Sequence, residues 1–120
     1  MKNILLVEDE EMLVRILATV LEEEGYKVRK STSAEDALGA LPDFRPDLII
    51  SDVKLPVTDG FTMLERIKGD NAIPMIPFIC LTALDDQKSE QRAKRLGAVA
   101  YMTKPFDIDD LVKLVRTVLP

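Results

Sequence analysis

The chain has 120 residues, 47% of them hydrophobic and 31% charged, with 16 Lys plus Arg against 21 Asp plus Glu and a net charge of −5. That size and balance specify one globular domain, residues 1–120, with a core large enough to need no metal or disulfide staples. The acidic balance argues against nucleic acid as a direct partner. The absence of histidine and the single Cys80 exclude His/Cys zinc sites, His-dependent triads and a disulfide scaffold. No apolar run approaches the ~20 residues of a bilayer span, and Met1-Lys2-Asn3 leads straight into a strand-like run; a cytoplasmic location without membrane contact is expected.

Ile4-Leu5-Leu6-Val7 is short and continuously apolar, as a strand buried on both faces would be. Met12, Leu13, Ile16, Leu17, Val20 and Leu21 then recur at helical spacing, and Gly25 supplies the stop. Tyr26 to Lys30 alternates Tyr26 and Val28 with basic residues, which suits a sheet edge. Ser33 followed by Asp36 reads as the N-terminal cap of a helix carrying Ala37, Leu38 and Leu41. Leu48-Ile49-Ile50 is the third strand, and a helix from about Phe61 to Lys68 shows Met63, Leu64 and Ile67 as its stripe. Pro77 opens a fourth strand through Leu81. A strongly charged helix follows from about Asp86 to Leu96, with Ala93 and Leu96 as its few anchors. Val99 to Met102 is a fifth strand, and Ile108, Leu111, Val112, Val115 and Leu119 mark a last amphipathic helix.

Five strands alternating with five helices predict a doubly wound parallel α/β sheet with right-handed crossovers. Ligands of such sheets bind at the carboxyl ends of the strands, near the switch in strand order. Glu8-Asp9-Glu10 follows the first strand, Ser51-Asp52 the third, Thr82-Ala83 the fourth, and Lys104-Pro105 the fifth. Each element alone says little: chance gives roughly three or four adjacent acidic pairs at this acidic content. Asp85-Asp86 and Asp109-Asp110 fall at helix starts, where carboxylates simply favour the helix dipole. Position gives the rim its meaning, because the set occupies the ends of four different strands. Three carboxylates in one pocket need compensation. Lys104 offers one positive charge, and an oxygen-only donor set suits Mg²⁺ (or Mn²⁺) together with a phosphoryl group. A carboxylate can itself carry a phosphoryl group as an acyl phosphate.

Glu8-Asp9, Asp52-Val53-Lys54-Leu55-Pro56 with Asp59-Gly60, Leu81-Thr82-Ala83 and Tyr101-Met102-Thr103-Lys104-Pro105-Phe106 together resemble the receiver domain of two-component response regulators, in order and over the whole chain. The resemblance implies a flavodoxin-like sheet of strand order 2-1-3-4-5. It implies that Asp52 is the phosphoacceptor and that Asp9, Asp52 and the backbone carbonyl of Lys54 bind Mg²⁺, with Glu8 reaching the ion directly or through water. Thr82 and Lys104 would hold phosphoryl oxygens, Tyr101 would change rotamer as Thr82 responds, and the Lys104-Pro105 peptide would be cis. The partners implied are a histidine kinase or histidine phosphotransfer protein as donor, and a downstream output protein or domain. The helix 4, strand 5 and helix 5 surface would be the output face of a switch rather than of an enzyme in the usual sense.

Four features depart from the commonest pattern. Glu8 stands where Asp is frequent, and Val99-Ala100 replaces an acidic pair before Tyr101, which weakens the case for acid–base pairing between receivers on that face. By the same resemblance, Lys54 and Leu84 would flank the path of hydrolytic water, and neither is an amide or acid that could position it; a long-lived aspartyl phosphate is expected. The Gly69–Met75 connection, with Pro74, is long but lies at the far end of the sheet. The basic run Lys88, Arg92, Lys94 and Arg95 reads first as a solvated helix face, offset by Asp85, Asp86 and Glu90. Met102 and Phe106 read as packing residues, and Cys80 as a buried, unreactive hydrophobe. A haloacid-dehalogenase-type phosphatase needs a second Asp where Lys54 stands. A flavodoxin-like mononucleotide binder needs a phosphate loop where Glu8-Asp9-Glu10 would repel one. A degenerate, partner-binding receiver would have lost Asp52, Thr82 or Lys104, and all three are present.

Overall fold

The computed structural model describes residues 1–83 and 87–120. Leu84, Asp85 and Asp86 lie outside the described residues, and with them the expectations placed on Leu84 and on the Asp85-Asp86 helix start. The elements are β1 (Asn3–Val7), α1 (Glu11–Glu23), β2 (Lys27–Ser31), α2 (Ala34–Phe44), β3 (Leu48–Asp52), α3 (Gly60–Gly69), β4 (Phe78–Ala83), α4 (Gln87–Arg95), β5 (Ala100–Lys104) and α5 (Ile108–Val118). The strands form one sheet in the order β2-β1-β3-β4-β5, every pair parallel.

Alternation along the strands builds two cores. Leu5, Val7, Ile49, Phe78 and Cys80 face α2, α3 and α4, where they meet Ala37, Leu41, Met63, Leu64, Ile67 and Ala93. Ile4, Leu6, Leu48, Ile50, Ile79 and Leu81 face α1 and α5, against Val14, Leu17, Leu21, Leu111 and Val115. Because both faces are covered, β1, β3 and β4 must be apolar at nearly every position, which is why their sequences run rather than alternate. Ser33 caps α2 by accepting Asp36 N–H (3.1 Å), Asp59 caps α3 by accepting Thr62 N–H, and Asp107 caps α5 by accepting Asp109 N–H.

The register sets the functional rim. Val7 lies opposite both Ser31 and Ser51, Asp52 opposite Leu81, and Ala83 opposite Lys104. Strand order reverses at β1, so the residues just after β1 and at the end of β3 flank the switch point.

Several boundaries differ from the sequence expectation. β2 is Lys27–Ser31, one residue later than expected, and β5 runs on to Lys104, so the lysine belongs to the strand itself. In α1 the buried stripe is Val14, Leu17, Ala18 and Leu21, whereas Met12 and Ile16 are exposed. The helix carries two apolar stripes, and only contact with the sheet decides between them. Helix α2 continues through Pro42 near its end and closes on Arg45 in the left-handed region (φ 51°). No helix among the described residues is long and apolar enough to cross a membrane.

Cys80 is 1% exposed, and burial pushes its thiol up to about 12. It is therefore expected to resist alkylation in the native protein at mildly alkaline pH and to react fully once the chain is denatured. Rapid native labelling, followed by mass spectrometry, would contradict the packing around β4.

Candidate functional site

Asp52 closes β3 and is 7% exposed. Its Oδ1 accepts the Lys54 N–H (3.1 Å) and its Oδ2 accepts Lys104 Nζ (2.8 Å), so both oxygens are oriented. The Ser51 hydroxyl donates to the Asp52 carbonyl (2.9 Å), and the Val53 N–H donates to Leu81 C=O (2.9 Å), tying the strand end to its neighbour. Glu8 follows β1, held by its N–H on the Ser31 carbonyl (3.0 Å), and is fully buried. Its Oε1 accepts Lys104 Nζ (2.5 Å) and its Oε2 accepts the Glu10 N–H (3.1 Å). The extra methylene relative to Asp thus carries this carboxylate across to the lysine.

One ammonium serves two buried carboxylates. Burial pushes the Glu8 carboxyl up to about 7, against the downward pull of the Lys104 hydrogen bond and the Glu10 N–H; the Asp52 charge adds to the rise. Burial acts to lower Lys104, but hydrogen bonds and charge from Asp52 and Glu8 outweigh it and leave the ammonium raised. Exposed Asp9 adds a third acid, and carboxylate oxygens of Glu8, Asp9 and Asp52 lie within 4.8 Å of one another. Three acidic groups against one lysine leave an all-oxygen donor set short of positive charge, which fits a hard divalent cation.

Thr82, near the end of β4, is 1% exposed, and its Oγ1 has no hydrogen-bond partner among the described residues. A buried orphan hydroxyl is costly unless something arrives to use it. Asp52, Ala83, Ser89, Lys104 and Phe106 line a cleft of about 550 Å³. The Lys104-Pro105 peptide is cis. Tyr101 is half-buried on the opposite face of β5 from Met102, packed with the α3 and α4 core, and is not bonded to the carboxylates. Met102 and Phe106 pack against the α1 and α5 core.

Two positions matter more than the sequence suggested. A Cβ at Gly60 would stand 2.4 Å from the Asp52 carbonyl oxygen and 3.0 Å from Val53 Cα, while Gly60 N–H donates to Val53 C=O (2.8 Å). The first turn of α3 therefore lies directly on the backbone that presents Asp52. Val57, between them, has φ 66° and spans a tight turn closed by Thr58 N–H on Pro56 C=O (2.8 Å). A β-branched residue in that region is strained. The Asp-Gly pair in the sequence signals a turn; that its glycine meets the Asp52 carbonyl follows only from the packing.

A family model for the response regulator receiver domain matches residues 4–116. The chain belongs to the response regulator receiver domain family. Among curated proteins, this receiver is 40% identical over 119 residues to the transcriptional regulatory protein PcoR of Escherichia coli, covering 99% of the chain and 52% of that protein. It is 29% identical over 118 residues to the polar-differentiation response regulator DivK of Brucella anthropi, covering 98% of the chain and 96% of that protein. The chain thus spans about half the length of PcoR but nearly all of DivK. Among solved structures, it is similar to the chemotaxis response regulator CheY4 of Vibrio cholerae, with a TM-score of 0.89 and 29% identity over 98% of each chain. The receiver sheet order, 2-1-3-4-5, is the one the resemblance implied.

Proposed function

We propose that residues 1–120 act as a phosphoacceptor switch in two-component signalling, accepting a phosphoryl group on Asp52 from a histidine kinase or histidine phosphotransfer protein. One observation carries this reading: the Asp52 carboxylate is buried and doubly oriented, by Lys54 N–H and Lys104 Nζ, next to an acidic pair within metal-ligand reach. Residues 1–120 contain no histidine, so the donor histidine lies outside this domain. Asp9 and Asp52, with the Lys54 backbone carbonyl and with Glu8 directly or through water, would hold Mg²⁺ or Mn²⁺. When bound, that ion would neutralise phosphoryl oxygens and lower the barrier to transfer.

In the transfer, an Asp52 carboxylate oxygen attacks phosphorus in line with the donor nitrogen. The P–N bond breaks as the new O–P bond forms, and the departing imidazole keeps the electron pair and leaves neutral, its proton drawn from solvent water. Lys104, already on Asp52, moves its ammonium onto a phosphoryl oxygen, and the orphan Thr82 hydroxyl donates to another. That supplies Thr82 with the partner it lacks and draws the β4 end toward Asp52, biasing Tyr101 and the α4, β5, α5 surface toward a partner or output domain. In this reading the domain turns over no substrate beyond its phosphodonor, and it would work in the cytoplasm.

The test is phosphorylation by phosphoramidate or acetyl phosphate, read by intact mass. A single phosphoryl adduct requiring Mg²⁺ and absent from Asp52→Asn is expected; no adduct on the folded wild type would overturn the reading. Lys54 is exposed beside the site and can neither accept a proton from nor orient a hydrolytic water as an acid or amide would. After donor removal the adduct is therefore expected to persist for minutes or longer, and decay within seconds would show that another group positions the water.

A further inference from the structure

Helix α4 is held to the domain in an unusual way. Of its nine residues only Ser89 and Ala93 are buried, and Lys88, Arg92, Lys94 and Arg95 crowd the rest. Two residues of this basic run, Arg92 and Lys94, nevertheless make specific contacts. The Arg92 guanidinium stands 4.8 Å from the centroid of the Phe61 ring, and its Nη2 is 3.1 Å from Glu65 Oε1. Lys68 Nζ donates to the Gly97 carbonyl just beyond the helix (3.1 Å). Phe61, Glu65 and Lys68 are spaced i, i+4, i+7, so a single stripe of α3 makes all three contacts. On the other flank, Lys94 Nζ lies 5.6 Å from the Tyr101 ring of β5.

Cation–π contacts and exposed ion pairs are individually weak. Here they fasten an element with two buried residues, so they form a large share of its hold, and elements held this way open first. Opening would be felt at the rim, because Ser89 on the inner side of α4 lines the same cleft as Asp52 and Lys104.

We propose that Arg92, gripping Phe61 and Glu65, latches α4 in its resting position, and that releasing this latch raises the population of the conformer competent for phosphorylation at Asp52. The second half rests on the phosphoacceptor reading above; the first does not. The test compares wild type, Arg92→Gln and Glu65→Gln as full chains, all of which leave the carboxylate rim and Lys104 intact. Backbone amide exchange of residues 91–95 is followed without a phosphodonor, and phosphoramidate-driven phosphorylation with Mg²⁺ is followed by intact mass. In Arg92→Gln, α4 exchange is expected to rise on the order of three- to ten-fold while α1 and α5 stay unchanged, with a matching rise in phosphorylation rate. Glu65→Gln, which keeps the ring contact, should show a smaller effect in the same direction and stands in if Arg92→Gln does not fold. Added salt should speed α4 exchange in wild type and leave Arg92→Gln unmoved.

Unchanged α4 exchange in both variants would overturn the latch. Faster exchange with an unchanged phosphorylation rate would overturn its control of the switch. A wild type that takes up no phosphoryl group would overturn the phosphoacceptor reading and the coupling with it, and is told apart from failure of the latch because the exchange contrast between wild type and variant would remain.

Discussion

Lys104→Ala is expected to lose roughly 2–4 kcal/mol of stability in metal-free buffer and to regain much of it in millimolar Mg²⁺. The lysine is the only cation bonded to Glu8 and Asp52 among the described residues, and those carboxylates are 0% and 7% exposed. Removing one partner of a buried ion pair is costly because the other is left without compensation. Here two carboxylates are left, with Asp9 beside them. The loss sits below the sum of two such events because the lysine is itself about a quarter exposed, which screens the pairs. A divalent ion bound among the same carboxylates would restore the missing charge, so the rescue should exceed any Mg²⁺ effect on wild type. Urea unfolding with chelator and with Mg²⁺ measures both. Equal destabilisation with and without Mg²⁺ would mean that the acidic cluster does not bind the ion in place of the ammonium. Phosphorylation should survive in this variant at a reduced rate, while binding to an output partner should no longer respond to it.

The fold was legible because its strands are short apolar runs and its helices carry stripes, and the cores of β1, β3 and β4 leave no other arrangement for Ile4–Val7, Leu48–Ile50 and Phe78–Leu81. The rim was legible for a related reason: at the carboxyl ends of the parallel strands the apolar runs give way to polar residues, so Glu8, Asp52, Thr82 and Lys104 stand out even though three of them are buried. What the sequence left open depended on three-dimensional choice. Met12 and Ile16 lie on a second apolar stripe of α1, and periodicity has no means of ranking it below Val14, Leu17 and Ala18. The reach of Glu8 to Lys104 depends on a side chain held from the other side by the Glu10 N–H, after the bend at Asp9. Arg92 in the basic run of α4 reads as solvated because its partners, Phe61 and Glu65, are about thirty residues away, beyond any local pattern.

Gly60→Ala is expected to cost about 2–3 kcal/mol and to slow phosphorylation at Asp52 by about ten-fold. An added Cβ would lie 2.4 Å from the Asp52 carbonyl oxygen and 3.0 Å from Val53 Cα, both backbone atoms with no rotamer to change. Relief requires α3 to lift or the end of β3 to sink. Lifting α3 stretches the Gly60 N–H bond to Val53 C=O and disturbs a helix that buries Phe61, Met63, Leu64 and Ile67. Sinking β3 moves Asp52 away from Lys104 Nζ and Lys54 N–H, the two donors that orient its carboxylate. Either response would couple stability to phosphoryl acceptance, because in the phosphoacceptor reading positioning is most of what this carboxylate contributes. The intrinsic gain in helix propensity from glycine to alanine, up to ~1 kcal/mol, works in the opposite direction and makes a net loss the informative result. Gly39, within α2, has nothing within 4 Å of an added Cβ and serves as the control. Gly39→Ala should stabilise slightly and leave phosphorylation unchanged. If Gly60→Ala behaved like Gly39→Ala in urea unfolding and in phosphoramidate uptake, the close approach of α3 to the Asp52 backbone would not be a constraint on the site.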